Sequence, residues 1–160
     1  MDFSLSKQDQ LFLQMIREFA EKEVKPLAAE VDEEERFPVE TVEKMAKLGI
    51  MGIPFPVEYG GAGGDNVLYS MAVEELSRVC ATTGVIVSAH TSLCASPIYE
   101  FGNEEQRKKY LPKLCSGEWI GAFGLTEPNA GTDASAQQTM AVAEEDHYVP
   151  VSYTHLKLPT

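Results

Sequence analysis

Cysteine is scarce in this 160-residue sequence: Cys80, Cys94 and Cys115 are odd in number, widely spaced and form no CxxC pair. That excludes a disulfide-built scaffold, offers no zinc-ligand spacing and suits a reducing compartment. Basic residues are also few, with 13 lysines and arginines against 25 aspartates and glutamates, leaving a formal charge of -12. A surface of that sign repels nucleic acid and anionic membrane. No bilayer-spanning run is present either. The charge-free stretch between Arg78 and Glu100 carries Thr82, Thr83, Ser88, His90, Thr91, Ser92 and Ser96, and is too polar for that role. Neither a GxxxxGK[ST] phosphate loop nor a GxGxxG dinucleotide fingerprint occurs. The opening "MDFSLSKQDQ" lacks an apolar signal core and an Arg-rich transit segment, which leads to the expectation of a bacterial, cytoplasmic protein.

What remains is the composition of an ordinary globular chain, 44% hydrophobic and 9% aromatic, about one domain long. Ser6 with Asp9 reads as a capping box, and Phe12, Met15, Ile16 and Phe19 recur at helical spacing, predicting a helix to about Pro26. A shorter helix follows. Pro38 suits its first turn, Val39, Val42, Met45 and Ala46 form its apolar face, and Gly49 ends it. Asp65 or Asn66 caps a third helix carrying Leu68, Met71, Ala72, Leu76 and Val79. The charge-free stretch reads as a helix buried among the others. Asn103 opens another helix, which Pro112 to Gly117 close. After Trp119 the texture changes. "IGAFGL" is a strand-like run, and "QTMAVAEEDHYV" reads as two strand halves about an acidic turn, so a β domain begins near residue 120.

Between those two strand signals lies "GLTEPNAGTDAS", a loop of small residues, hydroxyls and backbone donors with little side chain in the way. Such a loop suits an anion or the edge of a flat polar ring, and composition alone fits an ordinary tight turn as well.

Gly124-Leu125-Thr126-Glu127-Pro128-Asn129-Ala130-Gly131-Thr132-Asp133 followed by Ala136 resembles the flavin-binding signature of the acyl-CoA dehydrogenases. "EYGGAGGD" at 58–65, "VEELSR" at 73–78, "HTSLCASPI" at 90–98 and "FGNEEQRKKYLPKLCSGE" at 101–118 are similar to that family in order and spacing. Within it, the pattern is most like the short-chain, butyryl-CoA branch, and it covers about residues 1–149. The resemblance implies a mainly α fold: an N-terminal helical domain over 1–119, then over 120–149 the first strands of a middle β-barrel domain. It also implies FAD as cofactor, a short-chain acyl-CoA as substrate, an electron-transfer flavoprotein as redox partner and a homotetrameric assembly. Carried over residue by residue, Phe123, Leu125 and Thr126 would line the flavin, with the Leu125 N–H and the Thr126 hydroxyl on its pyrimidine edge. Gly131 and Thr132 would approach the pyrophosphate, and Thr132 would also touch the CoA. Ile86, Ala89 and Leu93 fall at positions similar to the acyl pocket, with simple core packing equally open. No glutamate here matches the family's α-proton base, which the resemblance places in a C-terminal domain. Glu74, Glu75 and Glu127 read instead as helix-surface or loop-anchoring acids, leaving no catalytic residue assigned in this chain.

His90 reads as a hydrogen-bonded core residue, and His147 and His155 have no partner at metal-ligand spacing, so no metal is expected. From 150 the chain reads "PVSYTHLKLPT", which departs from the family pattern and resembles translated adapter sequence, although a natural frameshift or splice would also produce it. Residues 150–160 are expected to be disordered and are set aside from the functional reading. The alternative to an enzyme segment is a helical fragment that is no catalyst and serves as an interaction module.

Overall fold

Ser6 opens the first helix as its spacing predicts: its hydroxyl accepts the Asp9 N–H at 3.1 Å, while the Asp9 carboxylate accepts the Ser6 N–H at 3.2 Å. In this computed structural model, which describes residues 5–151, α1 spans Lys7–Phe19 and buries Leu13, Ile16 and Phe19. The expected stop at Pro26 does not occur. A π turn over Ala20–Val24 lets the Lys25 N–H reach the Ala20 carbonyl, and α2 continues through Lys25–Glu33 with Pro26 in its first turn. The wider turn places the proline where its missing N–H and fixed φ suit a helix start.

Pro38 stands one position earlier than predicted, as the cap of α3 (Val39–Lys47) rather than within its first turn. Gly49 follows with a φ of +73°, a left-handed conformation that favours glycine after a helix. Asp65, not Asn66, caps α4 (Asn66–Val79) by accepting the Leu68 N–H at 2.8 Å. The charge-free stretch is not one buried helix. It forms α5 (Ala81–Ser88), a second π turn (Ala89–Ala95) and α6 (Ser96–Phe101), again with a proline, Pro97, in the first turn after the π segment. One flank, with Thr83, Val87, His90, Thr91 and Ala95, is buried, while Val85 and Leu93 remain 63% and 46% exposed. Helix α7 (Glu104–Cys115) starts with the Asn103/Gln106 capping box and runs past Pro112 to Cys115. The carbonyl freed by Pro112 belongs to Lys108, an exposed residue, where water can replace the lost bond.

These helices form one compact unit, the described residues up to Phe123, with two apolar clusters. The larger joins Ile16 and Ala20 to Met45, Ile50, Met51, Ile53, Ala72, Leu76 and Val87. The smaller gathers Phe55, Tyr59, Ala95, Leu111, Leu114 and Cys115. Arg17 pairs with Glu75 and Arg78 with Glu21, bridging the first helical stretch to α4, and such half-exposed pairs add little beside the apolar contacts.

The described residues from Gly124 onward make the second unit. The predicted hairpin is present: β1 (Met140–Ala143) and β2 (Tyr148–Val151) pair antiparallel, Val142 opposite Val149, and the Glu144 N–H donates to the His147 carbonyl at 2.8 Å. The strand expected over 120–125 does not form. A strand needs a neighbour for its backbone groups, and among the described residues β1 and β2 pair only with each other. Within the stretch set aside from the functional reading, Pro150 and Val151 pair with Ala141 and Met140 in that hairpin. His155 and the rest of the tail lie outside the described residues. Helices dominate the described chain, as the sequence pattern implies.

Candidate functional site

The loop after residue 120 is shaped by one carboxylate. Glu127 and Ala130 exchange backbone hydrogen bonds of 3.2 and 3.1 Å, closing a tight turn over Pro128 and Asn129. The Glu127 side chain, buried despite its charge, accepts the Gln138 N–H at 2.8 Å and the Thr139 N–H at 2.9 Å, and also the Thr139 hydroxyl. It therefore anchors the loop, as the sequence suggests. The Thr139 hydroxyl first, then the Gln138 N–H, holds this carboxyl below the usual carboxylate range.

A lowered folded pKa means that the anchor contributes order above the ordinary carboxylate range and loses it as pH falls through the lowered value, because the protonated acid is a poorer acceptor. Hydrogen exchange should show the Gln138 and Thr139 amides protected at neutral pH, with protection fading through that acid window. Protection unchanged well below it would contradict the anchor.

Among the described residues no hydrogen bond takes up the backbone N–H of Leu125, Thr126, Gly131 or Thr132, and both threonines are exposed. A Cβ at Gly124 or Gly131 would find nothing within 4 Å, so these glycines leave open space beside the backbone. Leu125 is 41% exposed. The Gln137 side-chain amide donates to the Leu125 carbonyl at 2.5 Å, occupying the acceptor and sparing the N–H. These residues belong to the second unit; Phe123, 52% exposed, closes the first.

Within the first unit, His90 is fully buried, and its Nδ1 accepts the Gly121 N–H at 2.9 Å. Burial pushes its pKa down against an opposing pull from the Leu114 and Met51 carbonyls. The sequence marks His90 as a core residue and gives no sign of its partner 31 positions away. The only available clue is a polar ring on a charge-free helix ahead of a glycine-rich segment. Of the three acyl-pocket candidates, Ile86 packs against the larger apolar cluster, Ala89 is half-buried and Leu93 is exposed. Core packing accounts for Ile86, whereas Leu93 is left available for contact. Glu75 is held below the usual carboxylate range chiefly by its hydrogen bond from Arg17, and Glu74 is exposed on the same helix. Among the described residues no cluster of His, Cys, Asp and Glu could hold a metal ion, and no helix is long and apolar enough to cross a membrane.

Residues 6–118 match the family described as acyl-CoA dehydrogenase, N-terminal domain. The chain belongs to the acyl-CoA dehydrogenase family. It is 68% identical over 149 residues to the short-chain specific acyl-CoA dehydrogenase of Clostridium acetobutylicum, a match covering 93% of this chain and 39% of that one. The structure of butyryl-CoA dehydrogenase from Megasphaera elsdenii superimposes with a TM-score of 0.86 at 45% identity, covering 94% of this chain and 40% of that one. An acyl-CoA dehydrogenase from Bacillus anthracis, solved in complex with FAD, gives a TM-score of 0.84 at 36% identity over 92% of this chain and 25% of its own. This acyl-CoA dehydrogenase segment thus spans at most two-fifths of the length of those relatives. Its exposed donors fit a flavin. Within the second unit, two hydroxyls and N–H groups that are unpaired among the described residues, on glycine-flanked backbone, suit an electron-rich ring edge and a pyrophosphate.

Proposed function

We propose that this chain is the N-terminal portion of an FAD-dependent short-chain acyl-CoA dehydrogenase that interconverts a butyryl-CoA-like thioester and its trans-2-enoyl-CoA. The observation that supports this reading is the Glu127-anchored loop, in which the donors of Leu125, Thr126, Gly131 and Thr132 are unpaired among the described residues. FAD, when bound, supplies the acceptor for the hydride that leaves the acyl β-carbon. The Leu125 N–H and the Thr126 hydroxyl donate toward the pyrimidine edge, where negative charge grows during transfer and fixed donors stabilise it most. Gly131 and Thr132 bring backbone close to the pyrophosphate, and Thr132 also contacts the CoA. Phe123 covers apolar ring surface. Ile86, Ala89 and Leu93 bound the acyl chain, their bulk limiting its length. None of the glutamates of this chain is assigned as the α-proton base. The domain assignment that accompanies this reading is helical over 1–119 and the beginning of the middle β-barrel over 120–149. Electrons pass to an electron-transfer flavoprotein, and the full-length assembly is a homotetramer in the bacterial cytoplasm.

Exposure makes a definite prediction. With Phe123 and Leu125 52% and 41% exposed and both threonines open to solvent, a flavin on this segment alone keeps much of its ring in water. The 160-residue chain should therefore purify colourless and oxidise no acyl-CoA. A stoichiometric yellow complex surviving gel filtration would overturn that expectation. The function itself is tested in the full-length protein, whose visible flavin absorbance should bleach with butyryl-CoA faster than with octanoyl-CoA. A preparation that binds no flavin, or is bleached by neither thioester, would reject the proposal.

A further inference from the structure

Two constraints meet at Gly121. Its N–H donates to His90 Nδ1 at 2.9 Å. A Cβ at this position would lie 2.6 Å from Cys94 Cβ, 2.7 Å from Cys94 Sγ and 3.3 Å from His90 Nδ1, so only a glycine lets the backbone come this close to the π turn Ala89–Ala95. The segment from 120 to 123 belongs to no strand ladder, and the His90 bond is the side-chain contact that ties it down at this point.

His90 is built for that contact. An imidazole can accept at Nδ1 only when that nitrogen carries no proton, so the fully buried ring is the neutral Nε2–H tautomer. The Leu114 and Met51 carbonyls favour a proton on the ring, while Nε2 itself is buried and makes no hydrogen bond among the described residues. Burial opposes a second proton, which would turn the acceptor into a donor facing the Gly121 N–H.

We propose that His90 is a positioning residue for the stretch 121–123: its neutral imidazole anchors the chain at Gly121 and thereby sets where Phe123, two residues on, is held. The inference rests on the reading of Phe123 as a flavin contact. His90 touches no reacting atom. A histidine serving only as core filling would be replaceable by any side chain of similar volume, whereas an anchor needs an acceptor at the Nδ1 position. Asn offers one, because its Oδ1 falls close to where Nδ1 stands, and Leu fills the space without one.

The test has two arms. In the 160-residue chain, long-range proton–nitrogen NMR correlations should show the Nε2–H tautomer of His90, and the Gly121 amide should exchange slowly. A protonated Nδ1, or a Gly121 amide exchanging as fast as an open loop, would overturn the anchor with no flavin involved. In the flavin-loaded full-length protein, His90→Leu should bind flavin about tenfold more weakly and shift its visible absorption band, while His90→Asn stays within about threefold of wild type. Wild-type affinity and spectrum in His90→Leu, or His90→Asn as impaired as His90→Leu, would refute the positioning role. If His90→Leu does not fold, the tautomer measurement and His90→Asn decide between the two outcomes. A wild-type protein that binds no flavin would instead sink the functional reading, while the first arm still reports on the anchor.

Discussion

Replacing Thr126 with Val in the flavin-loaded full-length enzyme is expected to slow hydride transfer by about 10- to 100-fold while leaving the fold intact. Val keeps the branched shape and removes the hydroxyl. Thr126 is exposed, and among the described residues its hydroxyl makes no hydrogen bond, so the folded segment loses no internal contact on substitution. Any loss must then come from what the hydroxyl meets outside the segment. A hydrogen bond to a charged group contributes about 1.5 to 3 kcal/mol, and one that strengthens as charge develops at the flavin edge lowers the barrier by a comparable amount. Stopped-flow reduction with butyryl-CoA at saturating concentration isolates the step. A wild-type rate in a fully flavinylated preparation would mean that this hydroxyl carries no chemistry. A lower melting temperature with normal turnover would assign Thr126 to the turn instead.

The second large effect concerns the scaffold. A Cβ on Gly61 would lie 2.1 Å from the Phe55 carbonyl oxygen, 2.5 Å from its carbon and 2.7 Å from its Cβ. The obstacle is backbone, so no rotamer change relieves it, and Phe55 is a fully buried member of the smaller apolar cluster. Gly61→Ala must therefore push apart the 52–64 loop, where the Ala62, Gly63 and Gly64 N–H groups donate to the carbonyls of Gly52, Phe55 and Ile53 at 2.8 to 2.9 Å. A loss of about 3 kcal/mol or more is expected in urea denaturation, the upper end for overpacking. Gly124→Ala is the matched control, since its Cβ finds nothing within 4 Å, and its midpoint should stay within about 0.5 kcal/mol of wild type. Equal midpoints for the two variants would mean that the loop is not packed as described.

What could be read from the sequence was what is decided within a few residues. Ser6 with Asp9 forms its capping box at three-residue spacing, Asn103 caps α7, and Gly49 ends α3 through its own backbone freedom. The loop-anchoring role of Glu127 was legible as a class, because an acid inside a glycine-rich turn needs donors, although Gln138 and Thr139 as its partners were not. Longer-range features escaped. A proline normally marks a boundary, and nothing local at Pro26 shows that a π turn upstream has already made room for it. The 120–125 run has the apolar texture of a strand, but strand formation depends on a neighbour that its own residues cannot supply. The His90–Gly121 bond joins two stretches whose closeness follows from packing rather than from spacing.

The two π turns also have a meaning in residue count. Each holds one residue more than an α-helical turn would need, and each is followed by a proline, Pro26 or Pro97, in the first turn after it. Each helical residue rotates its successors by about 100° and lifts them about 1.5 Å, so the extra residue decides which side chains of the following stretch face inward. After Ala89–Ala95 that stretch is α6, while within the turn itself His90 faces the core and Leu93 the solvent. Length at this point thus acts as a dial on the helix: a gene that gains or loses a single codon here re-aims the face of the helix that follows without altering any of the residues that form it.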